Sequence, residues 1–319
     1  MLSALFIDIR INLFLNMQED QPIKATAQDA LSSKNYATQL GYVHDPFISL
    51  FARDTVKRPP LINRGYWARV HRVRMTVEEF LRIDDDNKQI ISIGAGFDTA
   101  YWLLRTEKPE ARFQYVEIDF EDVCNQKSQI IGSNPQLFSM ISSPITPNQE
   151  ILARDYKLLH ADLRNSRFLM EKLVLHTNIS APTLILAECV LAYMEAQHSD
   201  SLIEDFSNLY PNSAFLNYDM IQPHDPFGRT MIQNLHARHV ELKGIVSYPT
   251  VASHLDRFRR FYERVDGYNM LMIYNRHTDR HERERVEKLE WMDEFEEWNM
   301  LMEHYCMIIG CKGSVNLAF

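Results

Sequence analysis

The chain has 319 residues, enough to bury the core of one large domain or of two small ones. Its 43 acidic and 34 basic side chains give a net charge of −9. Proteins that bind a nucleic-acid backbone usually present a basic face, so we expect no nucleic-acid partner. The four cysteines are too few and too scattered for a disulfide framework, which indicates reduced thiols in a cytoplasmic protein.

The first residues, LFIDIRINLFL, are apolar, but Asp8 and Arg10 interrupt the run, which is too short to span a membrane. They carry neither the basic start nor the small-residue cleavage site of a secretory signal. We therefore expect residues 1–19 to be a disordered or dispensable leader. We expect a single domain over residues 20–319 and no membrane partner.

Residues 20–85 carry apolar side chains at three- and four-residue spacing, which predicts helices. From residue 86 onward, short apolar runs alternate with helical patterns, beginning with QIISIG and TAYWLLR and ending with SAFLNYD and MIQNLHARHVEL. Such alternation predicts a parallel sheet covered by helices on both faces. We predict an α/β fold with a helical cap over residues 20–85 and a Rossmann-like core over residues 86–319.

The C-terminal part of the chain departs from this alternation. GYNMLMIYN (267–275) and EHYCMIIGCKGS (303–314) predict two strands, separated by a charged helix over residues 279–302. We expect the last strand to insert antiparallel. The charged helix mixes signs at i,i+4 spacing, which predicts an exposed helix with Trp291, Phe295 and Trp298 turned inward.

The segment IISIGAGFDTAYWLL, residues 90–104, resembles a cofactor-binding turn between a strand and a helix. Gly94 and Gly96 allow a sharp turn and a close ligand approach, although any tight βα turn favours glycine. Thr99 replaces the third glycine of the dinucleotide fingerprint. Asp98 stands at the start of the helix, where it would repel a diphosphate. S-adenosylmethionine has a sulfonium cation and no phosphate, so we expect it to be the cofactor.

Carboxylates stand at the ends of the next three predicted strands. Glu117 and Asp119 end the second strand, where an acid binds ribose hydroxyls in methyl-donor and NAD enzymes alike. Asp162 ends the third strand, where it can accept from an adenine amino group, and the N–H of Leu163 can meet a ring nitrogen. Glu188 ends the fourth strand. We expect these four carboxylates to face one cleft, although a single such acid is more often a helix cap.

Seven motifs resemble those of the leucine carboxyl methyltransferases in order and spacing: INRGYWARV, IGAGFDT, EIDF, HADLR, AECVLAYM, NRHTDR and HYC. The resemblance covers most of residues 24–315. It implies a class I methyltransferase fold of seven strands, the last antiparallel, with a helical N-terminal lid. It also implies a monomer that methylates the C-terminal leucine of the protein phosphatase 2A catalytic subunit, its protein partner, and so regulates holoenzyme assembly.

The resemblance also implies roles for residues that would bind the methyl donor. Lys34 and Arg69 would hold the methionine carboxylate of S-adenosylmethionine. Gly94 would line the methionine part of the donor, and Asp119 would bind the ribose.

Further roles concern the adenine and the acceptor. By resemblance, Asp162 and Leu163 bind the adenine, Glu188 closes the pocket, and Tyr193 with Arg69 orients the acceptor carboxylate. Arg69 also lies in a basic amphipathic segment, RGYWARVHRVR, whose residues are mostly solvated in other proteins. No general base is expected, because an α-carboxyl with a pKa of about 3.3–3.7 is already an anion at neutral pH.

Three other functions stay open at this point. A related branch acts on a tRNA wybutosine precursor, and the acidic balance disfavours it. A nicotinamide-dependent oxidoreductase is disfavoured by Asp98 and Thr99. A catalytically silent phosphatase-binding protein would have no reason to keep the site residues. We expect no metal site, because the histidine pairs at 236 and 239 and at 277 and 281 lie in charged stretches without further ligands.

Overall fold

The computed structural model describes residues 20–52, 54–85, 87–141 and 149–319, so the predicted leader over residues 1–19 lies outside the described part. The described residues contain eight strands: β1 (Gln89–Ile93), β2 (Gln114–Asp119), β3 (Ile151–Leu152), β4 (Tyr156–His160), β5 (Thr183–Glu188), β6 (Ser213–Met220), β7 (Arg264–Asn269) and β8 (Tyr305–Lys312). They form one sheet in the order β3-β4-β2-β1-β5-β6-β8-β7.

Helices cover both faces of this sheet. In the described residues they are α1 (Gln21–Gln39), α2 (Ile48–Phe51), α3 (Pro60–Leu81), α4 (Ala100–Glu107), α5 (Glu121–Ser133), α6 (Pro135–Ile141), α7 (Ser166–His176), α8 (Ala196–Leu209), α9 (Pro226–His236), α10 (Val251–Phe258), α11 (Met270–Arg276), α12 (Arg280–Glu287) and α13 (Phe295–Glu303). No described helix has the length and apolar character needed to cross a membrane.

The strand directions confirm the predicted class I methyltransferase fold. β1 pairs in parallel with β2 and β5, β2 with β4, and β5 with β6. β8 runs antiparallel between β6 and β7. The short strand β3, antiparallel to β4, adds an eighth strand to the predicted seven. All five residues of β1 are buried, as expected for a central parallel strand covered on both faces.

The N-terminal helices fill one side of the molecule. α3 begins at Pro60, a position where proline's missing N–H costs nothing, and buries Trp67, Val77 and Phe80 in the larger core cluster. The helical prediction for residues 20–85 is confirmed. The division of the chain into a cap and a core stays a prediction.

The predicted strand over residues 267–275 is wrong in its second half. β7 ends at Asn269, whose side chain accepts a hydrogen bond from the Met272 N–H at 2.9 Å and caps α11. Met270, Ile273 and Tyr274 are the buried residues of this helix, and they lie three and four positions apart. The apolar run therefore has helical spacing that a strand reading of its composition hides.

The single charged helix predicted over residues 279–302 is two helices, α12 and α13. Trp298 is 4% exposed, as predicted. Trp291 is 85% exposed and Phe295 60% exposed, so the inward orientation predicted for them is wrong. Trp291 lies in the connection between the helices, so no helical period relates it to Trp298. Phe295 shares α13 with Trp298, but it is the first residue of that helix and stays exposed at its start.

Candidate active site

A cavity of about 1190 Å³ opens at the carboxyl ends of β1, β2, β4 and β5, where doubly wound sheets bind ligands. Side chains of α1 and α3 close it on the opposite side. The structure brings eight predicted site residues to this cavity, whose lining includes Lys34, Arg69, Gly94, Asp119, Asp162, Leu163, Glu188 and Tyr193.

The turn after β1 requires both of its glycines. Gly94 has φ +60° and Gly96 has φ +51°, in the left-handed region that other residues rarely adopt. A Cβ on Gly94 would lie 2.6 Å from Val190 Cγ2. A Cβ on Gly96 would lie 3.2 Å from the Cβ of Ala27 in α1. The turn is thus packed closely against α1, which we call the lid helix, and against the loop after β5. The surface that the two glycines present to the cavity consists of backbone atoms.

Asp119 connects this turn to the end of β2. Its carboxylate accepts hydrogen bonds from the Gly96 N–H and the Phe120 N–H, both at 2.7 Å. Burial raises the pKa of Asp119, and these two hydrogen bonds oppose that rise. The carboxylate is therefore fixed at the cavity wall beside the glycine turn, the place expected of a ribose-binding acid.

Lys34 reaches the start of α4 from the lid helix. Its ammonium lies 2.8 Å from Asp98 Oδ1 and 2.9 Å from Asp45 Oδ2. Burial lowers the pKa of Lys34, but the two carboxylates outweigh burial and raise it above its ordinary value. Burial raises the pKa of Asp98, but the charges of Lys34 and Lys127 lower it to about 2. One ammonium thus serves two carboxylates, and the Asp98 carboxylate occupies the start of α4, where a diphosphate would bind.

This arrangement predicts a pH-dependent contribution to stability. The folded-state pKa of Asp98 lies below its ordinary value of 3.8, so its pairing stabilises the fold above that pH and is lost as pH falls toward 2. We expect Asp98→Asn to unfold at lower urea concentration than the wild type at neutral pH. Between pH 3.8 and about 2 the difference shrinks. A difference in unfolding free energy that stays constant down to pH 3 would contradict this reading.

On the adenine side, Asp162 pairs with Arg164, whose Nη2 lies 2.7 Å from Asp162 Oδ2. The same nitrogen lies 2.6 Å from Asp20, immediately before α1. Burial raises the pKa of Asp162, and the hydrogen bonds from Arg164 lower it below its ordinary value. Arg164 therefore connects the predicted adenine acid to the lid helix.

The lid helix α1 is tied to the core along its length, which supports the predicted helical lid. Ion pairs join it to the loop after β4, to the start of α5, to a residue just after α9 and to the start of α4. In order along α1, these pairs are Asp20–Arg164, Lys24–Asp122, Asp29–Arg238 and Lys34–Asp98.

Arg69 of α3 faces the cavity and is 17% exposed as a side chain, so it does not belong to a solvated face. Its Nε lies 2.6 Å from Glu188 Oε2, and its guanidinium stacks over the Tyr218 ring at 4.9 Å. Burial lowers the pKa of Arg69, but Glu188 outweighs burial and raises it well above its ordinary value. The pair places a permanent cation at the inner wall of the cavity.

Tyr193 ends a short 3-10 turn, Leu191–Tyr193, which follows β5. Its side chain is half-buried, and burial raises the pKa of the hydroxyl, which stays protonated at neutral pH. A protonated phenol can donate a hydrogen bond to a carboxylate. Around it, Met220, Met231 and Tyr305 form the apolar side of the cavity.

Sequence reasoning missed three residues of this region. Cys189 follows Glu188 with φ +55°, an uncommon backbone conformation for a residue with a side chain, and its Sγ lies 3.8 Å from Arg69 Nη1. Tyr218 and Tyr305 stack with ring centroids 5.3 Å apart. Tyr218 lies near the end of β6, a position that the strand-end rule used for the acids would also have selected.

The prediction that Glu117 faces the cleft is wrong. Its carboxylate is fully buried, 2.5 Å from Lys127 Nζ and 2.6 Å from the Tyr156 hydroxyl. Glu117 shares a strand face with Asp119 but stands two residues earlier, about 7 Å deeper along the strand. Glu117 therefore forms, with Lys127, a buried ion pair in the core beneath the site. In the described part of the chain, no group of three or more His, Cys, Asp or Glu is arranged to hold a metal ion.

Comparison with known proteins places the chain in a family. A family model described as Leucine carboxyl methyltransferase matches residues 22–207. The chain is 36% identical to the Leucine carboxyl methyltransferase 1 homolog of Arabidopsis thaliana, over 92% of this chain and 90% of that protein. It is 35% identical to Leucine carboxyl methyltransferase 1 of Bos taurus, over 94% of this chain and 92% of that protein.

Two further similarities bear on function and fold. The chain is 34% identical to tRNA wybutosine-synthesizing protein 4 of Homo sapiens, over 89% of this chain but 43% of that protein. A crystal structure from Thermobifida fusca, assigned as a methyltransferase, superposes with a TM-score of 0.53 at 12% identity, over 90% of this chain and 94% of that one. At this identity the likeness shows the fold alone.

The sheet contains the antiparallel strand β8, and the glycine turn follows β1 at the point where the strand order reverses. These two features define the class I methyltransferase fold. The Asp98 carboxylate at the start of α4 disfavours a diphosphate at this helix end, whereas a sulfonium compound carries no such group. The chain belongs to the leucine carboxyl methyltransferase family, and it is a carboxyl methyltransferase whose methyl donor is S-adenosylmethionine.

Proposed function

We propose that this protein methylates the α-carboxylate of the C-terminal leucine of the protein phosphatase 2A catalytic subunit. The observation that carries the proposal is the Arg69–Glu188 ion pair, which lines the same cavity as Tyr193 and the predicted donor residues. The name Leucine carboxyl methyltransferase 1, borne by relatives that align over most of their length, supports leucine as the acceptor. We also keep the predictions of a monomer and of a cytoplasmic location.

The donor residues of the proposal follow the sequence prediction. Asp119 would accept hydrogen bonds from the ribose, while Asp162 and the Leu163 backbone would hold the adenine. Lys34 and Arg69 would attract the methionine carboxylate, although Lys34 already serves two carboxylates of the protein itself. Bound there, the donor would supply an electrophilic methyl group on a sulfonium sulfur. Attack on that methyl group by a carboxylate oxygen would form the O–C bond of the methyl ester and break the C–S bond, leaving the neutral thioether S-adenosylhomocysteine.

The protein's own part in this chemistry is alignment and removal of water. Arg69 attracts the acceptor carboxylate, and Glu188 at 2.6 Å shares its charge, so the cation holds the nucleophile without fully quenching it. Tyr193 donates a neutral hydrogen bond that orients the carboxylate. The low exposure of Arg69 keeps bulk water away from the charge that it binds. No residue has to remove a proton, because the acceptor is already an anion.

Tyr193→Phe tests the orienting hydrogen bond. We expect kcat/KM for the acceptor to fall by about 10-fold or more, because a hydrogen bond to a charged group contributes about 1.5–3 kcal/mol. The dissociation constant of the donor, measured by calorimetry, should stay close to the wild-type value. Near-normal turnover in a folded Tyr193→Phe variant would reject the role assigned to this hydroxyl.

The whole proposal is tested with labelled donor and folded phosphatase catalytic subunit, either intact or lacking its last leucine. Base-labile label on the intact subunit only is the expected result, since methyl esters hydrolyse in mild base. Label that resists base, or that appears equally on the truncated subunit, would overturn the proposal. A parallel incubation with precursor tRNA addresses the other similar branch: label on the tRNA and not on the protein would favour that substrate instead.

A further inference from the structure

The histidine of the HYC motif, His304, has no role in the site described so far, yet it contacts a helix that lines the cavity on the side of Tyr193, which we call the acceptor side. That helix, α9, supplies Phe227 and Met231 to the cavity lining. Only Gly228 of its residues is fully buried. A helix with so little buried surface depends on a few specific contacts for its position.

His304, which follows α13, makes the most specific of these contacts. Its side chain is 3% exposed, and its Nε2 lies 2.9 Å from Oδ1 of Asp225. Asp225 is the N-cap of α9, and the same oxygen accepts the Gly228 N–H at 2.7 Å. The ring of Phe227 lies against the imidazole with centroids 4.5 Å apart. One carboxylate oxygen thus joins the first turn of α9 to His304.

The other ring nitrogen of His304 also has a partner. Nδ1 lies 2.6 Å from the Met300 carbonyl oxygen, one turn earlier in α13. Burial raises the pKa of Asp225, but the Gly228 N–H and His304 outweigh it and lower the value, so this carboxylate accepts hydrogen bonds. Both ring nitrogens therefore face oxygen atoms, and the ring is fixed between α13 and the first turn of α9.

The backbone around Gly228 leaves no space for a side chain at this position in the first turn of α9. A Cβ on Gly228 would lie 1.9 Å from the Gln222 carbonyl oxygen and 3.0 Å from the carbonyl carbon of Pro223. Gln222 itself has φ +61°, and its side-chain amide donates to the Glu303 carbonyl oxygen at 3.3 Å. The loop before α9 and the end of α13 are therefore closely joined on both sides of His304.

We infer that the His304–Asp225 pair is a latch that positions α9, and with it the acceptor-side wall of the cavity. His304 and Asp225 are positioning residues, because they act on the acceptor through Phe227 and Met231. This inference rests on the proposed function insofar as the acceptor occupies that side of the cavity. The position of α9 itself does not depend on which acceptor is used.

Four single variants separate the latch from general structure. His304→Phe keeps a ring against Phe227 but removes both hydrogen bonds. Asp225→Ala removes the cap and the pair together, whereas Asp225→Asn keeps an oxygen that can cap α9 and accept from the ring without the charge. Gln233→Ala, on an exposed part of α9 outside the cavity lining, is the matched control.

Hydrogen exchange of the α9 amides is the first readout, because it needs no substrate. We expect exchange over residues 226–236 to be about 10-fold faster or more in His304→Phe and Asp225→Ala. A smaller increase is expected in Asp225→Asn and no increase in Gln233→Ala. Unchanged exchange in a folded Asp225→Ala variant would overturn the latch. If His304→Phe does not fold, the comparison of Asp225→Ala with Asp225→Asn decides.

Kinetics with the phosphatase subunit is the second readout. We expect the KM for the acceptor to rise by about 10-fold or more in His304→Phe and Asp225→Ala. The donor dissociation constant should stay at the wild-type value. A fall in donor affinity with an unchanged acceptor KM would overturn the assignment. If the wild type does not methylate the phosphatase at all, the proposed function fails, while faster α9 exchange in the variants would still support the latch.

Discussion

Arg69→Ala should lower kcat/KM for the acceptor by about 10- to 150-fold, the loss expected when a hydrogen-bonding charge is removed from a charged ligand. The effect is expected to be large because the guanidinium proposed to hold the acceptor lines the cavity, contacts Glu188 at 2.6 Å and stacks over Tyr218. Steady-state kinetics with the phosphatase subunit measures the loss, and thermal unfolding verifies that the variant is folded.

Two further variants make the Arg69 prediction specific. Arg69→Lys keeps a positive charge but not the fixed fork of donors, so it should recover only part of the activity. Glu188→Gln keeps the shape of the partner and removes its charge, so Arg69 should hold the acceptor carboxylate more tightly, and both kcat and the KM for the acceptor should fall. Near-normal rates in folded Arg69→Ala would reject the assignment of this residue.

Lys127→Met should lower the free energy of unfolding by about 3–5 kcal/mol, the cost of leaving one member of a buried ion pair without its partner. Both side chains of the Lys127–Glu117 pair are fully buried, with 2.5 Å between nitrogen and oxygen. Lys127 also donates to the Asp98 carbonyl oxygen at 2.7 Å, so the pair supports the glycine turn from below. Urea unfolding followed by fluorescence gives the measurement.

A double variant distinguishes the buried charge from lost packing. In Lys127→Met with Glu117→Leu, neither charge remains, so much of the lost stability should return. The recovery should be incomplete, because the Tyr156 hydroxyl then loses its acceptor at Glu117. A double variant that is less stable than Lys127→Met alone would show that packing, and not the unpaired carboxylate, accounts for the loss.

The alternation of apolar runs and helical patterns was sufficient to predict the parallel core, because a strand such as β1, buried on both faces, leaves an unbroken apolar run. Acids at the carboxyl ends of parallel strands meet at one edge of the sheet, and this rule was sufficient to predict that Asp119, Asp162 and Glu188 line one cavity. The apolar pattern and the strand-end acids can each be recognised within a short stretch of sequence. The parallel sheet then brings the ends of its strands, which are distant in sequence, to one edge.

The errors concern how deep a residue lies along its strand and where a helix begins or ends. Glu117 and Asp119 stand two residues apart on one strand face, and only the depth of the strand end separates a core ion pair from a cavity acid. Trp291 left the predicted helical face because the helix breaks between α12 and α13, and Phe295 is exposed because α13 begins at this residue. The contact between His304 and Asp225 joins residues 79 positions apart, and no spacing rule predicts such a pair.

The place of β8 in the sheet has a consequence for the order in which the protein matures. β8 lies between β6 and β7, so the edge strand β7, although synthesised earlier, has no neighbour in the described sheet until residues 305–312 emerge. β8 also begins with Tyr305, a residue of the cavity wall. A ribosome-bound chain that still lacks this strand has an unfinished cavity wall, so we expect it to be inactive.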